Sequence, residues 1–298
     1  MSLGFSSIGY LTSWSYYSNS PNTQKDFNSS STSKLKGLMG YINNKDGEFR
    51  NKYPGIKTMI SIGGWTWSKD FSIVARNQTS RAIFSKSVVD FIDEYGFDGV
   101  DVDWEFPVEG GDSKNAKDPS DGTNLASLLD EIKNGLDKLS SAKYQNSKRF
   151  EIGITASASE RINRHLDIKK ISSIIDFINI MGYDFSGPWS SKTDHSSNLF
   201  DSKFTHSGVS IDRVVKYFLK KGADSKKLIV GCPLHAVAFP IAEHVDISSD
   251  LGLNKSIRKL NTPDLVKRNM SYDELESYYL KNKRDVIKAM ESDRILGD

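Results

Sequence analysis

Short apolar segments rich in β-branched residues alternate along this chain with longer amphipathic segments. The short segments have the length and composition of strands, and the long ones repeat their apolar residues at helical spacing. Strands that alternate with helices indicate an α/β fold built on a parallel sheet. The predicted strands cover residues 8–14, 57–62, 97–105, 150–157, 175–183 and 227–234.

The predicted helices carry residues that commonly mark helix ends, and they cover residues 80–95, 124–139, 212–221 and 271–290. Gly96 and Gly222 follow the first and third of these helices, and glycine readily adopts the left-handed backbone that ends a helix. Ser271 and Glu274 form a capping box at the start of the fourth.

The number of β-then-α units bears on how the sheet closes. A (β/α)8 TIM barrel needs about eight such units and commonly takes about 250 residues, so the 298 residues fit one catalytic barrel domain over 1–298. Residues 18–34 hold one large apolar residue, Phe27, and residues 294–298 are short and polar. The second and eighth strands are therefore not evident, which leaves an incomplete barrel open as an alternative to a closed one.

Composition excludes several classes of protein. With 40 Lys and Arg against 38 Asp and Glu, the net charge of +2 provides no basic excess for nucleic acid. No apolar run approaches the roughly 18 residues of a transmembrane helix. Cys232 is the single cysteine, so an internal disulfide is excluded. No metal and no cofactor are expected, because the histidines lack metal-ligand spacing: His195, His206, His235 and His244.

Three acidic residues alternate in the strand predicted over 97–105: Asp101, Asp103 and Glu105. Side chains alternate between the two faces of a strand, so these carboxyl groups share one face and the apolar residues between them share the other. Both faces of a strand in a parallel sheet are covered, and we expect the acids to point into the barrel.

Crowding and burial both raise the pKa of a carboxyl group. We therefore expect the three acids to titrate as one coupled group that keeps a proton. Glu105, at the carboxyl end of the strand, is placed to be a protonated acid near neutral pH that can protonate a glycosidic oxygen. The competing interpretation is a polar core or an exposed acidic edge.

Further segments accompany the acidic strand in a fixed order. They are Ser61-Ile62-Gly63-Gly64-Trp65, Met181-Gly182-Tyr183-Asp184-Phe185 and the stretch over 231–239. Together with Phe-Asp-Gly-Val-Asp-Val-Asp-Trp-Glu-Phe-Pro over 97–107, they resemble glycoside hydrolase family 18, the chitinases, and its fungal members most closely. The resemblance covers about residues 8–239.

The resemblance implies hydrolysis of β-1,4 N-acetylglucosamine linkages, in chitin or its oligomers, by a substrate-assisted retaining mechanism. Glu105 would protonate the leaving oxygen and later activate water. Asp103 would bind the acetamido N–H, and Asp101 would share its proton. Tyr183 would hold the acetyl carbonyl oxygen, which acts as the nucleophile.

The resemblance also implies a set of substrate-binding residues. Trp65 would stack on a sugar on the leaving-group side, and Asp184 would bind a hydroxyl or the acetamido group. The whole expected set is Tyr10, Gly64, Trp65, Phe106, Met181 and Asp184.

Two differences from the family pattern keep an alternative open. His235-Ala236-Val237 occupies the positions where the family usually has Tyr-Gly-Arg. Residues 294–298 contain no tryptophan, whereas the final strand of the family carries one that forms the hydrophobic floor of the site. The alternative is a catalytically weak or inactive chitinase-like protein that binds carbohydrate, such as a lectin-like protein or a toxin subunit.

The expected partners are chitin or N-acetylglucosamine oligomers, with no nucleic acid and no membrane, and the expected state is a monomer. The resemblance implies an extracellular or cell-wall location. The first residues lack the charged-then-apolar layout of a signal peptide, which leaves a cytoplasmic location open.

Overall fold

The computed structural model describes residues 37–187, 189–202, 208–237, 239, 241, 252–257, 269–271, 273 and 277. The strand predicted over 8–14, the segments 18–34 and 294–298, and Tyr10 lie outside the described residues. So does nearly all of the helix predicted over 271–290.

The strands among the described residues are β1 Met59–Gly63, β2 Gly99–Asp103, β3 Glu151–Ala156, β4 Phe177–Met181, β5 Leu228–Gly231, β6 His235–Val237 and β7 Asn269–Ser271. Five of the six predicted strands correspond to β1 to β5, with shorter bounds. Ser271, the predicted helix cap, is the last residue of β7.

The described helices alternate with the first five strands. They are α1 Gly37–Asn43, α2 Glu48–Lys52, α3 Phe71–Arg76, α4 Gln78–Tyr95, α5 Asp121–Tyr144, α6 Glu160–Asn163, α7 Ile168–Ile174 and α8 Ile211–Lys220, with a 3-10 turn at Ser225–Lys227. The helices predicted over 80–95, 124–139 and 212–221 correspond to α4, α5 and α8.

Strands β1 to β5 form one sheet in chain order, and among the described strands no pairing joins β5 back to β1. The β1–β2 and β2–β3 pairs are parallel. Their register sets Ser61 beside Asp101 and Gly63 beside Asp103, and it sets Asp101 beside Gly153. The predicted α/β architecture is confirmed for this part of the chain.

The ends of α4 show why this segment becomes a helix. The Asn77 side chain accepts a hydrogen bond of 2.9 Å from the backbone N–H of Ser80, which caps the first turn. Gly96 ends the helix with φ of 73°, in the left-handed region that the sequence predicts for it. The side chains of Val88 and Ile92 on this helix are buried, and α4 packs against α5.

The chain folds into two compact units. Among the described residues, the first unit holds 37–157, 161–179 and 221–228, and the second holds 158–160, 180–220 and those from 229 onward. The assignment of residues 1–298 to one domain stays a prediction.

The core of the first unit surrounds β2, in which every residue is buried. The apolar face predicted for this strand is confirmed, since Val100, Val102 and Trp104 are all buried. Trp104 stacks on Phe71 of α3 at 5.4 Å between ring centroids. The acidic residues consequently occupy the other face of the strand.

In the second unit, β6 and β7 form an antiparallel pair with His235 beside Ser271. The Thr193 hydroxyl donates to the carbonyl oxygen of Gly252 at 2.6 Å. Arg213 at the start of α8 forms an ion pair with Asp201.

Candidate active site

Three other strands of the sheet, β1, β3 and β4, each provide a hydrogen-bond donor to Asp101. The hydroxyls of Ser61 and Thr155 donate to its Oδ2 at 3.0 and 2.8 Å, and the Asn179 amide donates to Oδ1 at 3.2 Å. Burial raises the pKa of Asp101, while these three hydrogen bonds favour the ionised form and act against the rise. The carboxyl group is thereby fixed in place.

Asp103, two residues further along the same face, has a different environment. It is 8% exposed, and its Oδ1 has no hydrogen-bond partner among the described residues. Burial is the largest cause that raises the pKa of Asp103 to about 8, and the negative charges of Glu105 and Asp101 contribute to the same rise. Asp103 therefore carries a proton through most of the neutral range. The expectation that these crowded acids keep a proton agrees with this shift.

Glu105 lies beyond the end of β2 and is half-buried. The strand predicted through residue 105 ends instead at Asp103, because the backbone N–H of Glu105 donates to the Ser68 hydroxyl oxygen at 2.8 Å and not to a neighbouring strand. The carbonyl oxygen of Glu105 accepts a hydrogen bond of 2.7 Å from the Asn115 amide. Its peptide bond to Phe106 is cis.

The end of β1 lies directly against this acidic face. Gly63 has φ of 118°, and a Cβ atom there would overlap the carbonyl oxygen of Asp103, so the two strands approach as closely as glycine allows. A Cβ atom on Gly64 would lie 3.6 Å from Oδ2 of Asp103. The side chains of Trp65 and Trp67, which follow, are 52% and 56% exposed.

The remaining predicted site residues lie in the second unit. Met181 ends β4, and the Tyr183 ring packs on Gly231, where a Cβ atom would lie 3.0 Å from its Cε1. Asp184 has φ of 58°, a left-handed backbone that is uncommon outside glycine. Its Oδ1 lies 3.0 Å from Nε2 of His235, and the His235 ring lies edge-on to Tyr183 at 6.3 Å.

The structure thus brings together Asp101, Asp103, Glu105 and Gly64 in the first unit, with Trp65 and Phe106 following Gly64 and Glu105 directly. It brings together Tyr183 and Asp184 in the second unit. Tyr10 lies outside the described residues.

Sequence reasoning missed the residues that hold the acids in place. Thr155 and Asn179 come from separate strands, and Ser68 and Asn115 come from loops, so no local pattern joins them to the acidic strand. His235 was detectable as a departure from the usual motif, but its contact with Asp184 was not.

In the part of the chain that the structure describes, no group of three or more His, Cys, Asp or Glu side chains could hold a metal ion. Within the same residues, no helix is both long enough and apolar enough to span a membrane.

Comparison with known proteins gives consistent matches. Residues 6–289 match the model of glycosyl hydrolases family 18. Chitinase A1 of Niallia circulans is 37% identical over 205 residues, which are 66% of this chain and 29% of that protein. The chain spans between 29% and 43% of the length of four curated chitinases that it matches.

Solved structures match as well. Chitinase ChiA74 from Bacillus thuringiensis has a TM-score of 0.69 and 30% identity, covering 79% of this chain and 36% of that one. A catalytic domain of the Group II chitinase of Ostrinia furnacalis, a mutant in complex with penta-N-acetylchitooctaose, (NAG)5, has a TM-score of 0.60 and 29% identity. That match covers 70% of this chain and 52% of the other. The fold class is therefore the α/β TIM barrel.

Proposed function

Because the chain belongs to glycosyl hydrolase family 18, we propose that it hydrolyses β-1,4 linkages between N-acetylglucosamine residues in chitin or chitooligosaccharides. The names of its relatives support this substrate class, and one structural relative was solved with an N-acetylglucosamine oligomer. The array of Asp101, Asp103 and Glu105 is the observation that carries the proposal.

Glu105 is the general acid in this proposal. It transfers a proton to the glycosidic oxygen as the bond from that oxygen to C1 breaks. The carbonyl oxygen of the substrate's own acetamido group attacks C1 and forms an oxazolinium intermediate. Ionised Glu105 then removes a proton from water, the water oxygen attacks C1 as the bond from C1 to the oxazolinium oxygen breaks, and the acetamido group is regenerated with the β configuration retained. An intramolecular nucleophile has a high effective concentration, so no second carboxylate needs to attack.

Asp103 and Asp101 stabilise this reaction from one side of the sugar. Asp103 accepts a hydrogen bond from the acetamido N–H and stabilises the positive charge that develops on the oxazolinium. The raised pKa of Asp103 supports a role in which its proton is shared with Asp101 and moves during the cycle. The three donors on Asp101 support an ionised, fixed partner for that proton.

The second group of residues binds the substrate. Tyr183 donates its hydroxyl to the acetyl carbonyl oxygen, and Asp184 accepts from a sugar hydroxyl or the acetamido group. The 3.0 Å contact with His235 supports a fixed orientation for Asp184. Met181 and Phe106 are also substrate-binding residues in this proposal, and Trp65 stacks on a sugar, for which its half-exposed indole is available.

The test is an assay with N-acetylglucosamine oligomers in which NMR follows the anomers of the product. We expect β products from the wild type and a loss of about 1,000-fold or more in kcat for Glu105→Gln, because the substituted side chain has no acidic proton to transfer. The matched control is Glu94→Gln on the exposed side of α4, which should act at the wild-type rate. Product lengths distinguish endo from exo cleavage.

An absence of turnover by the wild type would contradict the proposal. If calorimetry then showed binding of the same oligomers, the protein would be a carbohydrate-binding relative without catalysis. The replacement of the family's Tyr-Gly-Arg by His235-Ala236-Val237 is the observation that favours this second function.

The proposal includes an extracellular or cell-wall location and a monomeric state. Both rest on the family resemblance alone.

A further inference from the structure

The backbone of Glu105 lies beyond the sheet and is held by side chains. The last ladder pair between β1 and β2 joins Gly63 and Asp103, and the N–H of Gly64 still donates to the carbonyl oxygen of Asp103 at 2.7 Å. The next N–H on that edge of β2 belongs to Glu105. It donates to the Ser68 hydroxyl oxygen at 2.8 Å, so a hydrogen bond to a side chain replaces the next backbone hydrogen bond between the two strands.

Ser68 is itself fixed. It is 0% exposed, and its hydroxyl donates to the carbonyl oxygen of Gly64 at 2.8 Å and lies 3.2 Å from the carbonyl oxygen of Asp103. The hydroxyl therefore accepts from Glu105 while donating back to the loop that follows β1. A residue without this hydroxyl would remove the acceptor from a partly buried N–H, which is costly.

Asn115 binds the peptide group on the C-terminal side of Glu105. It is 8% exposed, and its amide donates to the carbonyl oxygen of Glu105 at 2.7 Å. The neighbouring Ala116 N–H donates to the carbonyl oxygen of Lys69 at 2.9 Å, which ties this loop to the segment that carries Ser68. Gly111, with φ of 70°, lets the loop pass so closely that a Cβ atom there would overlap the Glu105 carbonyl oxygen.

We infer that Ser68 and Asn115 are positioning residues that fix the direction of the Glu105 side chain, an inference that rests on the proposed function. The two peptide groups that flank a Cα atom determine where its side chain points. Here each of those groups has one buried side-chain partner. A displacement of about 1 Å in a catalytic group can reduce the rate about 100-fold.

The kinetic test compares Ser68→Ala and Asn115→Ala with the wild type. We expect kcat for N-acetylglucosamine oligomers to fall about 10- to 100-fold while KM changes less than about threefold, because neither side chain is proposed to touch the substrate. Ser68→Thr keeps the hydroxyl and should recover most of kcat. If Ser68→Ala does not fold, Asn115→Ala and Ser68→Thr still decide the question.

Two matched control variants measure the cost of losing a buried hydrogen bond elsewhere. Ser85 is buried and donates its hydroxyl to the carbonyl oxygen of Glu131 at 2.9 Å. Asn163 is buried and donates its amide to the carbonyl oxygen of Ser157 at 2.7 Å. Ser85→Ala and Asn163→Ala should lose stability but keep kcat. Equal kcat values for all four alanine variants would overturn the inference.

A second measurement does not need turnover. In protein labelled with ¹³C and ¹⁵N, we expect Ser68→Ala to increase amide hydrogen exchange at Glu105 at least about tenfold and to move its side-chain carboxyl resonance. Ser85→Ala should leave both signals unchanged. If the wild type proved inactive, the proposed function would fail on its own, and an unmoved carboxyl resonance would separately overturn the positioning role.

Discussion

Asp101 and Asp103 are neighbours on one face of a buried strand, and burial raises the pKa of both, but only Asp101 has side-chain hydrogen bonds that act against the rise. Asp101 accepts three hydrogen bonds, which favour its charge, whereas Oδ1 of Asp103 has no partner among the described residues. The hydrogen bonds to Asp101 reduce the cost of a charge there, while the pKa of Asp103 is raised to about 8, so we expect Asp103 to hold a proton that the pair shares.

The raised pKa of Asp103 predicts a pH-dependent stability. The unfolded carboxyl has a pKa near 3.8, so the folded protein binds more protons between about pH 4 and pH 8. Stability from this residue is complete below about pH 4 and is lost as the pH rises to 8. Asp103→Asn should match the wild type near pH 4 and exceed it near pH 8 by on the order of a few kcal/mol in the free energy of unfolding.

Urea unfolding at both pH values measures this difference. Asp46→Asn, an exposed residue in the turn after α1, is the control and should show the same difference from wild type at both pH values. A constant difference for Asp103→Asn would contradict the assignment of a raised pKa.

At the residue scale the sequence predicted the acids but not their partners. The alternation of Asp101 and Asp103 is a local pattern that can be recognised from the sequence of a single strand. The donors Ser61, Thr155 and Asn179 depend on the register of three other strands, and register is set by packing across the sheet.

At the scale of elements, β1 and β2 together determine where the acidic face ends. The sequence predicted a strand through Glu105, but the ladder stops at Asp103 because Ser68 accepts the next N–H. Strand identity was predictable from composition, whereas this boundary depends on a side chain from another loop.

The close approach of the two strands predicts a large effect for Gly63→Ala. The substitution strains a backbone with φ of 118° and adds a Cβ atom that overlaps the Asp103 carbonyl oxygen. We expect a loss of about 3 kcal/mol or more in the free energy of unfolding, measured with urea.

Gly55→Ala separates the two causes. Gly55 also has a left-handed backbone, with φ of 91°, but a Cβ atom there meets nothing within 4 Å. This variant should lose only about 1–2 kcal/mol. Equal losses for both variants would show that the contact with Asp103 does not matter.

At the scale of the whole molecule, the alternation of strands and helices predicted the fold class, and four separated motifs predicted the family. Both predictions depend on patterns that recur along the chain and do not require any single contact. The predicted strand over 8–14, Tyr10 and the helix predicted over 271–290 stay predictions, since all of the first two and nearly all of the third lie outside the described residues.

A protein that binds N-acetylglucosamine oligomers only when folded should be stabilised by them. We expect oligomer at about 100 times its Kd to raise the free energy of unfolding by about 2.7 kcal/mol and to raise Tm by a few degrees. Glu105→Gln is the suitable variant, because the oligomer then survives the experiment. Cellobiose-type glucose oligomers, which lack the acetamido group, are the control, and an equal shift with them would contradict the proposed substrate class.

The stacking of Trp104 on Phe71 gives the protein an internal optical probe. This indole is shielded from water and lies one residue before Glu105, whereas Trp65, Trp67 and Trp189 are more than half exposed. Aqueous quenchers such as iodide reach exposed indoles first, so among the four tryptophans in the described residues the emission that survives would come in large part from Trp104. A change in this remaining fluorescence would report a structural change in the acidic strand without the need for product formation.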